Sequence, residues 1–167
     1  VSDLSTLNNH TYFIGNVGGV KNVDGLMSGT ISNTLKNVEG LLGKNTATFS
    51  SDKSNIINQT AITFTFTDGT MVSEDVSDGY YYYLKTVGGE YLKINEDKSI
   101  QLTTEPTELK IKLGTLASRS GQILISNKDE TVYLNFYGAA SGEGDDKFAG
   151  WTEVDENAYT TLYLLNE

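Results

Sequence analysis

The sequence predicts an all-β domain. Within that class it predicts a β-trefoil of three four-stranded units, with a β-sandwich of about seven to nine strands as the alternative. Three observations carry this. Apolar and polar residues alternate at period two in one short run after another. The runs are separated by Gly, Asn and Asp turns, in a chain with 17 Gly and 1 Pro among 167 residues. Short patterns also recur in the same order along the chain. The length suits a single domain with a sizeable core.

Taken in order, the first strand signal is Tyr12-Phe13-Ile14. Residues 30–42 are the one stretch with helical spacing, through Ile31, Leu35, Val38 and Leu42, although their Thr, Asn and Gly40 content opposes a helix. Residues 60–67 alternate strictly, with Ile62, Phe64 and Phe66 on one face and Thr on the other. Tyr80 to Leu84 reads as an aromatic strand. Leu92 and Ile94, then Ile100 and Leu102, mark two shorter ones. Residues 107–113 set Leu109, Ile111 and Leu113 against Glu108, Lys110 and Lys112. Residues 122–126, 131–137 (with Leu134 and Phe136 inward) and 159–165 (with Leu162 and Leu164 inward) complete the series. The apolar positions named from Ile62 onward form the expected core.

The repeat is visible in Tyr12-Phe13-Ile14-Gly15-Asn16-Val17-Gly18-Gly19 set against Tyr82-Tyr83-Leu84-Lys85-Thr86-Val87-Gly88-Gly89. A fainter copy is Ile123-Leu124-Ile125-Ser126-Asn127, and Tyr91-Leu92-Lys93-Ile94 is echoed by Tyr133-Leu134-Asn135-Phe136. Phe64, Ile111 and Leu162 are aligned as equivalents. The units are then approximately 10–67, 80–114 and 121–165, the first carrying an insertion at about 25–44. Six strands closing a barrel under three hairpins would leave few open sheet edges.

Charge and composition exclude several functions. There are 22 acidic and 12 basic residues, for a net charge of −10, which disfavours nucleic acid and anionic membranes as partners. No run approaches the ~20 apolar residues of a membrane helix, and no basic segment leads into an apolar one as in a signal peptide. Absence of Cys excludes disulfides, thiolate metal sites and a Cys nucleophile, and the one His, His10, excludes a His-rich zinc site. No Gly-x-Ser-x-Gly elbow is present. The acidic groups Glu74, Asp75, Asp78 and Glu143, Asp145, Asp146 lack calcium-loop spacing and read as solvated turns. No cofactor, metal or catalytic residue is expected.

The segment from Phe64-Thr65-Phe66 through Asp78-Gly79-Tyr80-Tyr81-Tyr82-Tyr83-Leu84 and Gly88-Gly89-Glu90-Tyr91-Leu92-Lys93-Ile94 has a recognisable aromatic and glycine pattern. It continues through Gly121-Gln122-Ile123-Leu124-Ile125-Ser126-Asn127, Val132-Tyr133-Leu134-Asn135-Phe136-Tyr137-Gly138 and Phe148-Ala149-Gly150-Trp151. Over about 64–165 it resembles a module of large wall-anchored surface proteins of gut Gram-positive bacteria. The resemblance implies an extracellular, cell-wall-anchored or secreted, non-enzymatic module within a larger chain. Its partners would be host molecules, including immunoglobulin and mucus glycoproteins. It implies no set of ligand residues. A Lys–Asn isopeptide bond, as between Lys85 and Asn166, is a further option for a surface protein.

Binding residues are nominated by position. Neighbours on a strand face opposite ways, so the rings of Tyr80 to Tyr83 cannot all be buried together. If Tyr12 and Tyr82 point inward, then Tyr81, Tyr83 and Phe13 point outward and form an aromatic patch suited to a protein interface. Trp151 offers a surface on which one sugar could stack, although the Gln-x-Trp signature of ricin-type trefoil lectins is absent. The expected function is non-catalytic binding of a host macromolecule by a monomeric domain, first a host protein such as immunoglobulin. The alternatives are a glycan-binding lectin module or a passive spacer.

Overall fold

The structure, a computed structural model, describes residues 2–16, 25–31, 34–36, 61–137 and 147–165. These contain twelve strands and no α-helix. The strands are β1 (Thr11–Asn16), β2 (Gly25–Met27), β3 (Thr34–Lys36), β4 (Thr63–Met71), β5 (Tyr80–Lys85) and β6 (Tyr91–Ile94). Then come β7 (Ile100–Thr103), β8 (Glu108–Leu113), β9 (Ile123–Asn127), β10 (Tyr133–Tyr137), β11 (Lys147–Trp151) and β12 (Thr161–Leu164).

Their pairing is that of a β-trefoil. β1, β4, β5, β8, β9 and β12 run antiparallel around a barrel. The ring closes between β9 and β12 through one bridge, in which the Ile123 and Thr160 amides each donate to the other's carbonyl, at 3.0 and 2.8 Å. β2–β3, β6–β7 and β10–β11 are the three hairpins. Closure satisfies the strand edges that an open sheet would present to solvent.

The cross-strand register has three-fold symmetry. Phe66 faces Leu84, Ile111 faces Ile125 and Leu162 faces Ile14. Tyr12 faces Phe64, Tyr82 faces Leu109, and Ile123 faces Thr160. The equivalent of Ile111 and Leu162 is therefore Phe66, two residues beyond the Phe64 that the sequence alignment selects. Phe64 and Phe66 are both buried on the inner face of β4, so period-two alternation alone does not choose between them.

Two expectations about the first unit are corrected. Residues 34–36, inside the segment with helical spacing, form strand β3, with Leu35 opposite Leu26. Pairing with β2 outweighs a weak helical periodicity in a Thr- and Asn-rich stretch. The segment assigned as an insertion also holds β2 and β3, the unit's own hairpin. The remainder of both segments lies outside the described residues.

The core follows the period-two pattern closely. Phe64, Phe66, Leu84, Leu92, Ile94, Leu109, Ile111, Leu134, Phe136 and Leu162 are buried. Ile62, Ile100, Leu102 and Leu164 are partly buried against them. Leu113 is exposed, being the last residue of β8. Aromatic rings thread the barrel: Tyr12 and Tyr82 each meet Phe66 edge-on at 5.5 Å, and Tyr80 stacks on Tyr82 at 5.9 Å. The Tyr82 hydroxyl donates to the Leu4 carbonyl, tying the 3-10 turn Leu4–Leu7 to the barrel. Burial, and to a lesser extent the neighbouring Tyr80, push the Tyr82 phenol up to about 12.

Candidate functional site

Tyr81 and Tyr83 lie on the outer face of β5, as the sequence predicts, but both are half-buried. The Lys128 and Lys110 ammoniums stand 5.5 and 6.0 Å from the Tyr81 ring centre, and Tyr83 packs edge-on to Tyr91 at 5.9 Å. The lysines are themselves tied down. Lys128 pairs with Glu108, and Lys110 and Lys112 both pair with Glu130, all at 3.2 Å. The Tyr133 hydroxyl donates to the same Glu130 at 2.7 Å. Burial alone would raise the Glu130 pKa, but the hydrogen bonds from Tyr133, Lys110 and Lys112 outweigh it and leave the carboxyl below its ordinary value. This wall is a satisfied ion-pair lattice rather than an open aromatic patch. Lys85 is exposed, with its ammonium 5.9 Å from the Tyr91 ring, and Asn166 lies outside the described residues.

Phe13 corrects the sequence reading. It is 1% exposed, because the outer face of β1 is itself covered. Its cross-strand partner Tyr163 is also fully buried. The Tyr163 ring and Leu26 both reach over Gly15, the next outward position along β1. A Cβ at Gly15 would come within 2.9 Å of the Tyr163 ring, so glycine is what admits this outer apolar layer.

Trp151 ends β11 opposite Tyr133 and is 37% exposed. The Lys98 ammonium lies 4.6 Å from its ring centre, close enough for a cation–π contact. The Lys98 carbonyl also accepts from Gly150 N–H at 2.7 Å, fixing the β6–β7 turn against β11. Among the described residues Trp151 is linked to Tyr81 through Tyr133, Glu130 and Lys110 rather than by direct contact, and Phe13 lies apart in the outer layer of β1. His10 is exposed in the turn before β1. Among the described residues no group of His, Asp and Glu could hold a metal ion, and no helix is long and apolar enough to cross a membrane.

A different arrangement offers a candidate ligand site. An open groove of about 620 Å³ is lined by Thr115, Leu116, Val154, Asp155, Glu156 and Tyr159. One wall is the loop from β8 to β9 and the other is the chain leading into β12. Leu116 and Val154 are each 43% exposed and give the groove its apolar surface. Asp155 caps the 3-10 turn Glu156–Ala158. Its Oδ1 accepts from Asn157 N–H at 2.9 Å and from Asn135 Nδ2 at 3.0 Å. Its Oδ2 accepts no hydrogen bond from the described residues. The buried Arg119 guanidinium holds Glu156 Oε2 at 3.2 Å and faces Gln122 Oε1 at 3.5 Å. Gln122 Nε2 in turn donates to Thr161 Oγ1 at 2.7 Å.

Tyr159 is the groove's buried member, 2% exposed and packed with Leu124, Ala158 and Tyr133. Its ring fills the space beside Gly114, where a Cβ would come within 2.4 Å of it. Its hydroxyl makes no hydrogen bond to a described residue. A rigid ring, an unpartnered hydroxyl and two fixed carboxylates can together hold a polyhydroxylated ligand. The sequence reading missed this site because its residues come from two irregular connections, which carry no periodicity. The one usable signal was Asp155-Glu156-Asn157, an Asp two residues before an amide that it caps.

No family model matches the chain, and no curated protein matches it. A solved structure that does match is the Macrolepiota procera ricin B-like lectin in complex with lactose. That structure and this chain are 16% identical and superpose with a TM-score of 0.54, over 96% of this chain and 97% of the other. At that identity the likeness shows the fold, and it agrees with the strand pairing: the chain is a β-trefoil.

Proposed function

We propose that this chain is a non-catalytic glycan-binding module with its sugar seated in the groove between the β8–β9 loop and the chain entering β12. The observation that carries the reading is the Tyr159 hydroxyl, on a buried ring and without a partner among the described residues, beside Asp155. A sugar ring offers hydroxyls to Asp155 and Tyr159 and a C–H face to Leu116 and Val154. The β-trefoil neighbour that holds lactose supports the same class of ligand. A host glycoprotein, immunoglobulin or mucin, then enters as a carrier of sugar rather than through the Tyr81 wall, whose rings are half-buried and flanked by paired lysines. Display on a bacterial wall belongs to this proposal and rests on the sequence resemblance.

The test is calorimetric titration with lactose and a neutral glycan panel, comparing the unmodified chain with Tyr159→Phe. Removing one hydroxyl from a site built to hydrogen-bond the ligand should weaken binding by roughly tenfold, since a lost bond of about 1.4 kcal/mol corresponds to that factor. Equal affinity in the folded variant would refute the groove as the site.

A further inference from the structure

We infer that the groove selects uncharged sugars and turns away glycans whose bound residue carries a carboxylate or sulfate; this rests on the groove being the glycan site. Among the described residues that line it, none is basic. Asp155 Oδ2 and Glu156 Oε1 accept no hydrogen bond from the described residues, so the wall leading into β12 presents open anionic acceptors. Sugar hydroxyls can donate to them. A ligand carboxylate at neutral pH has nothing to donate and meets like charge.

The cation that contacts the lining does not change this. Arg119 is 3% exposed and its guanidinium is already engaged by Glu156 Oε2 and Gln122 Oε1. Its buried charge fixes Glu156. Lys110, Lys112 and Lys128 are paired with Glu130 and Glu108, and Lys98 sits over Trp151. Glu153, exposed one residue before Val154, adds a further negative charge to the same segment. The chain as a whole carries −10, so the long-range field also opposes an anionic ligand. Like charges brought together across an interface are strongly disfavoured, which makes this exclusion a source of specificity.

The experiment titrates the unmodified chain with lactose and with sialylated lactose at 0.15 and 1 M salt. Lactose should bind at least about tenfold more tightly at the lower salt, a gap of about 1.4 kcal/mol. The gap should narrow at 1 M salt, where the screening length falls from about 8 to about 3 Å. Asp155→Asn keeps the oxygen that caps the turn and removes the charge, so it should narrow the gap at low salt. Glu156→Gln is the second variant should the first lose its fold by thermal melting. Equal affinities, or a gap that neither salt nor either substitution reduces, would overturn the inference. Failure of every neutral sugar to bind would instead remove the groove reading and this inference with it.

Discussion

Tyr159 occupies the volume that a side chain at Gly114 would need: a Cβ there would lie 2.4 and 2.7 Å from two atoms of its ring. The same glycine donates its N–H to the Gln122 carbonyl at 2.9 Å and so closes the loop that carries Thr115 and Leu116. One residue thus sets both the floor and one wall of the groove. Gly114→Ala should destabilise the fold by about 1–3 kcal/mol, as overpacking does, and, with a sugar seated in the groove as proposed, should weaken its binding by displacing the ring. Urea unfolding and lactose titration of the same variant check the two effects. A variant that keeps both stability and affinity would show that the ring has room to move.

Phe13 and Tyr81 should part company on truncation. Phe13→Ala empties a site in the covered outer layer of β1 and should cost about 3–5 kcal/mol. Tyr81→Ala removes a half-buried ring beside two lysines and should cost only about 1 kcal/mol. Denaturation midpoints compared at constant slope would measure this, and equal losses would contradict the burial difference.

Stability should fall at high pH because of Tyr82. Its phenol titrates near 10 in an unfolded chain and at about 12 in the barrel, held up chiefly by burial. A group whose folded pKa is raised contributes stability that is complete below about pH 10 and is lost as pH rises to about 12. Tyr12, raised by burial, and Tyr133, raised by burial and by Glu130, act in the same direction. Tyr82→Phe should be less stable at pH 7 by about 1 kcal/mol, for the lost bond to Leu4, yet should flatten the fall between pH 10 and 12. An unchanged alkaline slope would place the titration elsewhere.

The barrel was legible in the sequence because its strands are half-buried and antiparallel. Alternation at Leu109 and Ile111, or at Phe64 and Phe66, directly records which face meets the core. The Tyr12 and Tyr82 match fixed the register of two units, and the structure repeats it in the third at Ile123. The reading failed where a second layer intervenes. Nothing around Phe13 announces that Tyr163 and Leu26, distant in the chain, cover its outer face. It failed again at the groove, where Asp155 and Tyr159 matter through contacts with Asn135 and Gly114 rather than through any local pattern.

The β9–β12 closure has a dynamic consequence. Five of the six barrel junctions are ladders, whereas this one is a single reciprocal bridge between Ile123 and Thr160. The groove's two walls are the chain segments that lead into those two strands. Transient parting of the seam would therefore change the groove's width, and a ligand spanning both walls would act as a clasp. In native-state hydrogen exchange the Ile123 and Thr160 amides, though buried, should exchange sooner than those of the β4–β5 ladder. Saturating sugar should slow those two amides more than the rest of the barrel. Uniform protection, with or without ligand, would mean that one bridge holds the seam as firmly as a full ladder.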